Sequence, residues 1–195
     1  MRLIDLTRLI DPDDAKYFPP ERRAAAAPLF PRITPVRPAV EGAAVMSEIF
    51  GCKPEDLPEG EGWGDEYVRM STHLGTHVDA PLHYGSRCEG GPSRTISDID
   101  ISELYCPALV LDLRARCAPG MGIEVEALKE AIRDTGRAIE PGSAVLLRTG
   151  QERFALNDPE FFMYPGMTRD GTLYLSSLGA KILGTDALGW DRPFP

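Results

Sequence analysis

Ala108-Leu-Val-Leu-Asp-Leu-Arg114, Glu124-Val-Glu-Ala-Leu-Lys-Glu-Ala-Ile-Arg-Asp-Thr135-Gly136 and Ser143-Ala-Val-Leu-Leu-Arg148 decide the fold class. The first and third segments are short apolar runs and read as strands. The second is amphipathic at helical spacing and is closed by Gly136, the residue type that most readily ends a helix. Working outward, Lys181–Thr185 is strand-like, Ser176–Leu178 looks helical, and Arg2–Leu9 alternates well enough for a first strand ended by the turn-forming Asp11-Pro12-Asp13. Strands outnumber helices and the two are mixed in order, so the expected architecture is a layered α/β or α+β domain. Residues 12–41 carry Pro19, Pro20, Pro28, Pro31, Pro35 and Pro38, and read as an extended proline-rich arm, with Tyr17, Phe18, Leu29 and Phe30 as residues it can bury. Residues 53–64 form an acidic, glycine-rich loop in which Trp63 is the one group able to stack on an aromatic ligand.

At 195 residues and 43% hydrophobic composition the chain can hold a core of its own, and residues 1–195 are expected to form one domain. The net charge of −9 argues against nucleic acid or an anionic membrane as partner, because both demand a basic footprint. No apolar run approaches the length of a membrane span, and the opening Met1-Arg-Leu-Ile-Asp-Leu-Thr lacks the apolar core of a signal peptide, so the expected location is cytoplasmic. Cys52, Cys88, Cys106 and Cys117 have neither the spacing of a zinc knuckle nor that of a redox motif, and read as unpaired structural thiols.

All three histidines of the chain fall in His73-Leu-Gly-Thr-His77-Val-Asp79-Ala-Pro81-Leu-His83. Gly75, Thr76, Val78 and Pro81 disfavour a helix, and the stretch reads as a strand or bent strand. Its odd positions then share one chemical face, and Leu74, Thr76, Val78, Ala80 and Leu82 the other. A straight strand would separate His73 and Asp79 by roughly 20 Å, too far for one ion, so joint ligation requires a bend, and Gly75 is the residue that permits it. His77 and Asp79, two residues apart, converge without one. Imidazole together with carboxylate suits Zn²⁺ or Mn²⁺, and three protein ligands leave a position open for catalysis.

These residues resemble the signature of the cyclase family, which includes the metal-dependent bacterial kynurenine formamidases and the isatin hydrolases. Ile4-Asp-Leu-Thr7, Leu147-Arg-Thr-Gly150 and the run from Tyr164-Pro-Gly166 through Gly184-Thr-Asp-Ala-Leu-Gly-Trp-Asp191 agree with it. The resemblance implies a swivelling β/β/α fold whose barrel-like sheet holds the metal motif. It also implies one or two ions, Zn²⁺ or Mn²⁺, bound by His73, His77 and Asp79, with Asp79 bridging to a second metal in two-metal members. His83 is then a second-metal ligand or a proton-transfer group. Family members usually continue past the Gly-Thr-Asp-Ala-x-Gly-Trp-Asp stretch into elements that carry a distal His and a Glu. Here Pro195 is the last residue and no histidine follows His83, so the expectation is a chain without the family's C-terminal part.

Other patterns are weaker. Gly-x-Ser-x-Gly does not occur, the Gly60 to Gly64 and Gly120 to Gly122 clusters lack the spacing of nucleotide loops, and a triad built on Ser71 or Ser86 would leave two histidines and a carboxylate unexplained. The resemblance therefore implies a metal-dependent amidohydrolase acting on a non-peptide C–N bond of a small amide. It is expected to be an arylformamidase, converting N-formylkynurenine to kynurenine and formate, or a hydrolase of a cyclic amide. Arg148 at a strand end reads either as a substrate-binding group or as one half of a simple salt bridge. Homo-oligomers, dimeric or tetrameric, are expected from the arm and the family. The rival expectation is an inactive shortened relative that serves as a metal-binding or interaction domain.

Overall fold

The computed structural model describes residues 3–27, 30–155 and 158–193, with Arg22 described by its backbone alone. The chain divides into two compact units, Met1–Asp79 and Ala80–Pro195.

In the first unit the proline-rich stretch is mostly helical turn. Pro12, Pro20 and Pro38 each sit in the first turn of a short helical element, where the missing N–H costs nothing and the fixed φ is already suitable. The elements are a 3-10 turn Pro12–Tyr17, helix α1 (Pro20–Ala26) and a π-type turn Pro38–Gly42 that runs into helix α2 (Ala43–Phe50). Among the described residues of 12–41 one strand is formed, β1 (Arg32–Val36), which pairs antiparallel with β2 (Asp65–Arg69). Phe18 meets Phe30 edge-on at 5.6 Å, so the stretch does bury aromatic surface; Pro28 and Leu29 lie outside the described residues. Trp63 packs edge-on against Phe50 at 5.7 Å.

The strand expected at Arg2–Leu9 is not formed over Leu3–Leu9, and Arg2 lies outside the described residues. The polar groups of this segment turn elsewhere: Thr7 N–H donates to Asp5 Oδ1 and Arg8 N–H to Thr76 Oγ1. Leu3, Ile4, Leu6 and Leu9 are exposed, so alternation here does not mark a buried face.

The second unit is a mixed α/β arrangement with parallel sheets. A short antiparallel pair, β3 (Arg87–Cys88) and β4 (Gly91–Pro92), precedes β5 (Ala108–Asp112), β6 (Gly122–Ile123), helix α3 (Val125–Thr135), β7 (Ala144–Arg148), β8 (Gly166–Met167), helix α4 (Arg169–Ser177) and β9 (Ile182–Thr185). Strands β5, β7 and β9 form a parallel sheet in that order, with α3 and α4 carrying the two crossovers, and β6 pairs parallel with β8. The strand and helix readings at 108–148 and 181–185 therefore match within a residue or two. Gly136 ends α3 in the left-handed conformation at φ 64°.

Helix α4 begins well before Ser176. Thr168 caps it by accepting Gly171 N–H at 3.2 Å, and Gly171 is required because a Cβ there would lie 2.7 Å from Met167 Cε and 2.9 Å from Ile123 O. A glycine chosen for close packing weakened the helical signal of the sequence. The core joins Leu111, Val145 and Leu147 of the sheet to Leu128 and Ala131 of α3 and Leu175 of α4. Among the described residues the strands make four separate sheets and no closed barrel.

Candidate metal centre

The histidine motif is not a strand. Residues 72–76 turn and bend, residues 77–80 are irregular, and Pro81–Tyr84 is a 3-10 turn. A period-two split therefore does not hold: Val78 and Leu82, assigned by it to the packing face, are half exposed. The expected bend is present, and it is at Gly75, whose φ is 70°. A side chain at that position would meet Ile10 Cδ1 and Cγ1 at 3.0 Å. Thr76 staples the bend to the N-terminal segment, accepting Arg8 N–H at 3.0 Å and donating to Leu6 O at 3.2 Å. Ser71 Oγ accepts His73 N–H at 3.2 Å on the incoming side.

The bend gathers three side chains of the first unit. His73 Nδ1 lies 2.7 Å from Asp79 Oδ1, and His77 Nε2 lies 3.2 Å from the same oxygen. The two imidazoles meet edge-on with centroids 5.3 Å apart. His77 Nδ1–H donates to Gly75 O at 2.9 Å, which leaves Nε2 as the nitrogen with a lone pair and aims it at Asp79. A backbone carbonyl that fixes the tautomer and direction of a ring is the usual support of a metal-binding histidine. Two imidazole nitrogens and a carboxylate oxygen are donor types that suit a divalent metal.

His83 belongs to the second unit. It stands on the Pro81–Tyr84 turn, its backbone N–H donating to Ala80 O at 2.9 Å, and its ring meets Tyr84 edge-on at 5.1 Å. The turn is anchored by Leu82 N–H to Arg94 O at 3.1 Å.

The late carboxylate Asp186 has a structural post. It accepts Thr149 N–H at 2.9 Å, Thr149 Oγ1–H at 2.6 Å and Gly150 N–H at 2.9 Å, tying the loop after β7 to the end of β9. Burial pushes the Asp186 carboxyl up, but the hydrogen bonds from Glu152 and Thr149 and the Gly150 amide outweigh it and hold the group low. The hydrogen bond to Asp186, with burial, pushes the Glu152 carboxyl up. Leu147-Arg-Thr-Gly150 and Gly184-Thr-Asp186 are thus two halves of one clasp, a pairing the sequence signalled only through polar residues directly after two apolar strands. Arg148 contributes a 3.7 Å contact to Glu152.

The Cyclase family profile matches residues 4–192. Among curated proteins, the kynurenine formamidase of Bacillus cytotoxicus is 28% identical over 119 residues, covering 61% of this chain and 49% of that protein. The isatin hydrolase of Roseibium aggregatum is 30% identical over 156 residues, covering 70% of this chain and 58% of that protein. The chain spans about half the length of the kynurenine formamidases it matches. Among solved structures, isatin hydrolase A from Ralstonia solanacearum superposes with a TM-score of 0.71 at 20% identity, covering 98% of this chain and 68% of that one, which shows a shared fold. With a profile match running across almost its whole length, through the histidine motif and both halves of the clasp, the chain belongs to the Cyclase family.

Proposed function

We propose that the protein is a metal-dependent hydrolase of a small amide, acting as an arylformamidase on N-formylkynurenine or a closely similar aryl formamide. The convergence of His73 Nδ1 and His77 Nε2 on Asp79 Oδ1 carries this reading, and the names of the curated relatives supply the substrate class. His73, His77 and Asp79 would hold the metal, with Zn²⁺ or Mn²⁺ favoured by the mixed nitrogen and oxygen donors. Once bound, such an ion supplies Lewis acidity, polarising an amide carbonyl and lowering the pKa of water. The Asp79 carboxylate balances the positive charge, and the Gly75 carbonyl keeps His77 in the ligating tautomer. As water adds to the carbonyl carbon and the C–N bond breaks, the leaving nitrogen needs a proton. His83, four residues beyond Asp79, is the titratable group proposed to deliver it.

The family match across both units supports reading the chain as one domain, and the parallel layers support the family's swivelling β/β/α architecture. Exposed Ile49, Phe50, Tyr67 and Val68 support a homo-oligomer. No helix of the described residues is long and apolar enough to cross a membrane, and four free cysteines support a cytoplasmic location.

Metal content per chain, measured by plasma mass spectrometry with N-formylkynurenine turnover before and after chelation, tests the proposal. One or two equivalents of Zn or Mn with chelator-sensitive turnover is expected. His77→Ala is expected to lose metal and activity while keeping its circular dichroism, and retained turnover in that variant would sink the proposal.

A further inference from the structure

The antiparallel register of β1 and β2 sets Arg32 directly opposite Arg69. Residues so paired project to the same face with Cβ atoms about 4.5–5.5 Å apart, and like charges in that relation are destabilising. The chain holds 30 acidic residues against 21 basic ones, and other arginines use them: Arg37 pairs with Glu41, Arg94 with Glu103 and Arg114 with Asp112. Among the described residues neither Arg32 nor Arg69 has an ion-pair partner. Both guanidinium-bearing residues are exposed at the strand end nearest the histidine motif in sequence, since Arg69 precedes His73 by four residues.

Arg32 also lines a cavity of about 230 Å³ with Arg23, Pro12, Ala15, Ala27, Phe30 and Pro31. Its two charged side chains, Arg23 and Arg32, are cationic and stand beside the apolar Phe30, Pro12 and Pro31. Arg23 is held in place by donating to Lys16 O and Phe18 O at 2.9 and 3.1 Å, so it contributes charge with a fixed direction. A ligand matched to this lining has an apolar ring and an anionic group. The cavity and the β1–β2 strand end each run by a short stretch of chain to the motif. Ile10, the residue that abuts Gly75, precedes Pro12 by two positions, and Arg69 to His73 spans at most about 14 Å of extended chain.

We propose that Arg32 and Arg69 form an anion-recognition pair that selects ring-bearing amide substrates carrying a carboxylate, with Arg32 holding the anion at the cavity. A bound carboxylate turns a repulsive pair into a charge-assisted one, and the guanidinium fork favours planar, two-point capture. The substrate part of this inference rests on the hydrolase reading of the histidine motif; the anion site itself does not.

Titration calorimetry with benzoate on the full chain tests the site alone. Wild-type protein is expected to bind benzoate, Arg32→Gln and Arg69→Gln to weaken it about tenfold each, and Arg32→Lys to retain part of the affinity. Both residues are exposed, and circular dichroism verifies that the variants remain folded. Absence of benzoate binding in the wild type, or wild-type affinity in either glutamine variant, overturns the pair. A second readout is the ratio of kcat/KM for N-formylanthranilate over neutral formanilide, expected to fall about tenfold in Arg69→Gln. An unchanged ratio overturns the selection role. Arginine-dependent benzoate binding in a wild type that hydrolyses neither formamide supports the anion site and refutes the hydrolase reading instead.

Discussion

Gly75→Ala is the most informative single perturbation of the metal motif, because this residue makes the bend that brings His73 to Asp79. At φ 70° an L-residue pays roughly 1–2 kcal/mol for the left-handed conformation. The added Cβ would also sit 3.0 Å from Ile10 Cδ1 and Cγ1, a tight contact with the flexible end of a side chain, which can yield by a few tenths of an ångström. Backbone strain is thus the main cost. In the metal-free protein the alanine loop relaxes toward a right-handed conformation, whereas ligation by His73, His77 and Asp79 demands the bend, so the cost falls on binding. A penalty of about 1–2 kcal/mol corresponds to about a 5- to 30-fold weaker metal dissociation constant. Competition titration of Zn²⁺ against a chelating dye measures it. Gly136→Ala is the control, with a similar φ of 64° and nothing within 4 Å of the new Cβ; it is expected to lower the urea midpoint while leaving metal affinity alone. An affinity within about twofold of wild type in Gly75→Ala would refute the argument that the bend assembles the ligands.

Three further outcomes are expected. Leu128→Ala removes a fully buried side chain between α3 and the sheet, and should cost about 2–5 kcal/mol in urea unfolding with an unchanged denaturant slope. Asp186→Asn keeps one acceptor oxygen but turns an amide N–H₂ toward donors at Thr149 and Gly150, at a cost of about 1–3 kcal/mol by the same assay. Glu103 is held down at about 2, chiefly by Arg94 and also by Lys181, below its ordinary 4.5. A depressed carboxylate contributes stability that is complete above the unfolded value and is lost as the pH falls through the folded one. Glu103→Gln should therefore flatten the pH dependence of the urea midpoint between about pH 4.5 and 2, and leave its slope above about pH 5 unchanged.

The parts of the sequence that declared themselves are those with a physical repeat. Residues 108–148 carry apolar runs long enough to be strands and a helical stripe ending in glycine, and they fold that way. The histidine motif stood out by residue type, and its bend at Gly75 was expected on the condition that His73 and Asp79 share one ion. What misled was alternation without burial. Leu3–Leu9 and residues 73–83 both alternate, yet the first finds no ladder partner and the second commits its polar groups to Gly75, Thr76 and Ser71 contacts. Ribbon β1–β2 contains Pro35 and several charged residues and is almost wholly exposed, and its register depends on residues about thirty positions apart. The proline-rich segment was misjudged because proline fits an extended chain and a helix's first turn equally well; choosing between them needs the contacts of Phe18 with Phe30.

The Asp186 clasp leaves a signature in amide hydrogen exchange. Thr149 and Gly150 follow the last residue of β7, where the strand's own ladder has ended, and residues beyond a strand ordinarily exchange fast. Here both amides are held by one carboxylate that is itself rooted at the end of β9, so they open only when β7 and β9 part. Their exchange rates therefore report the coming apart of two parallel strands, and the chain's two separated polar stretches mark a single cooperative opening event.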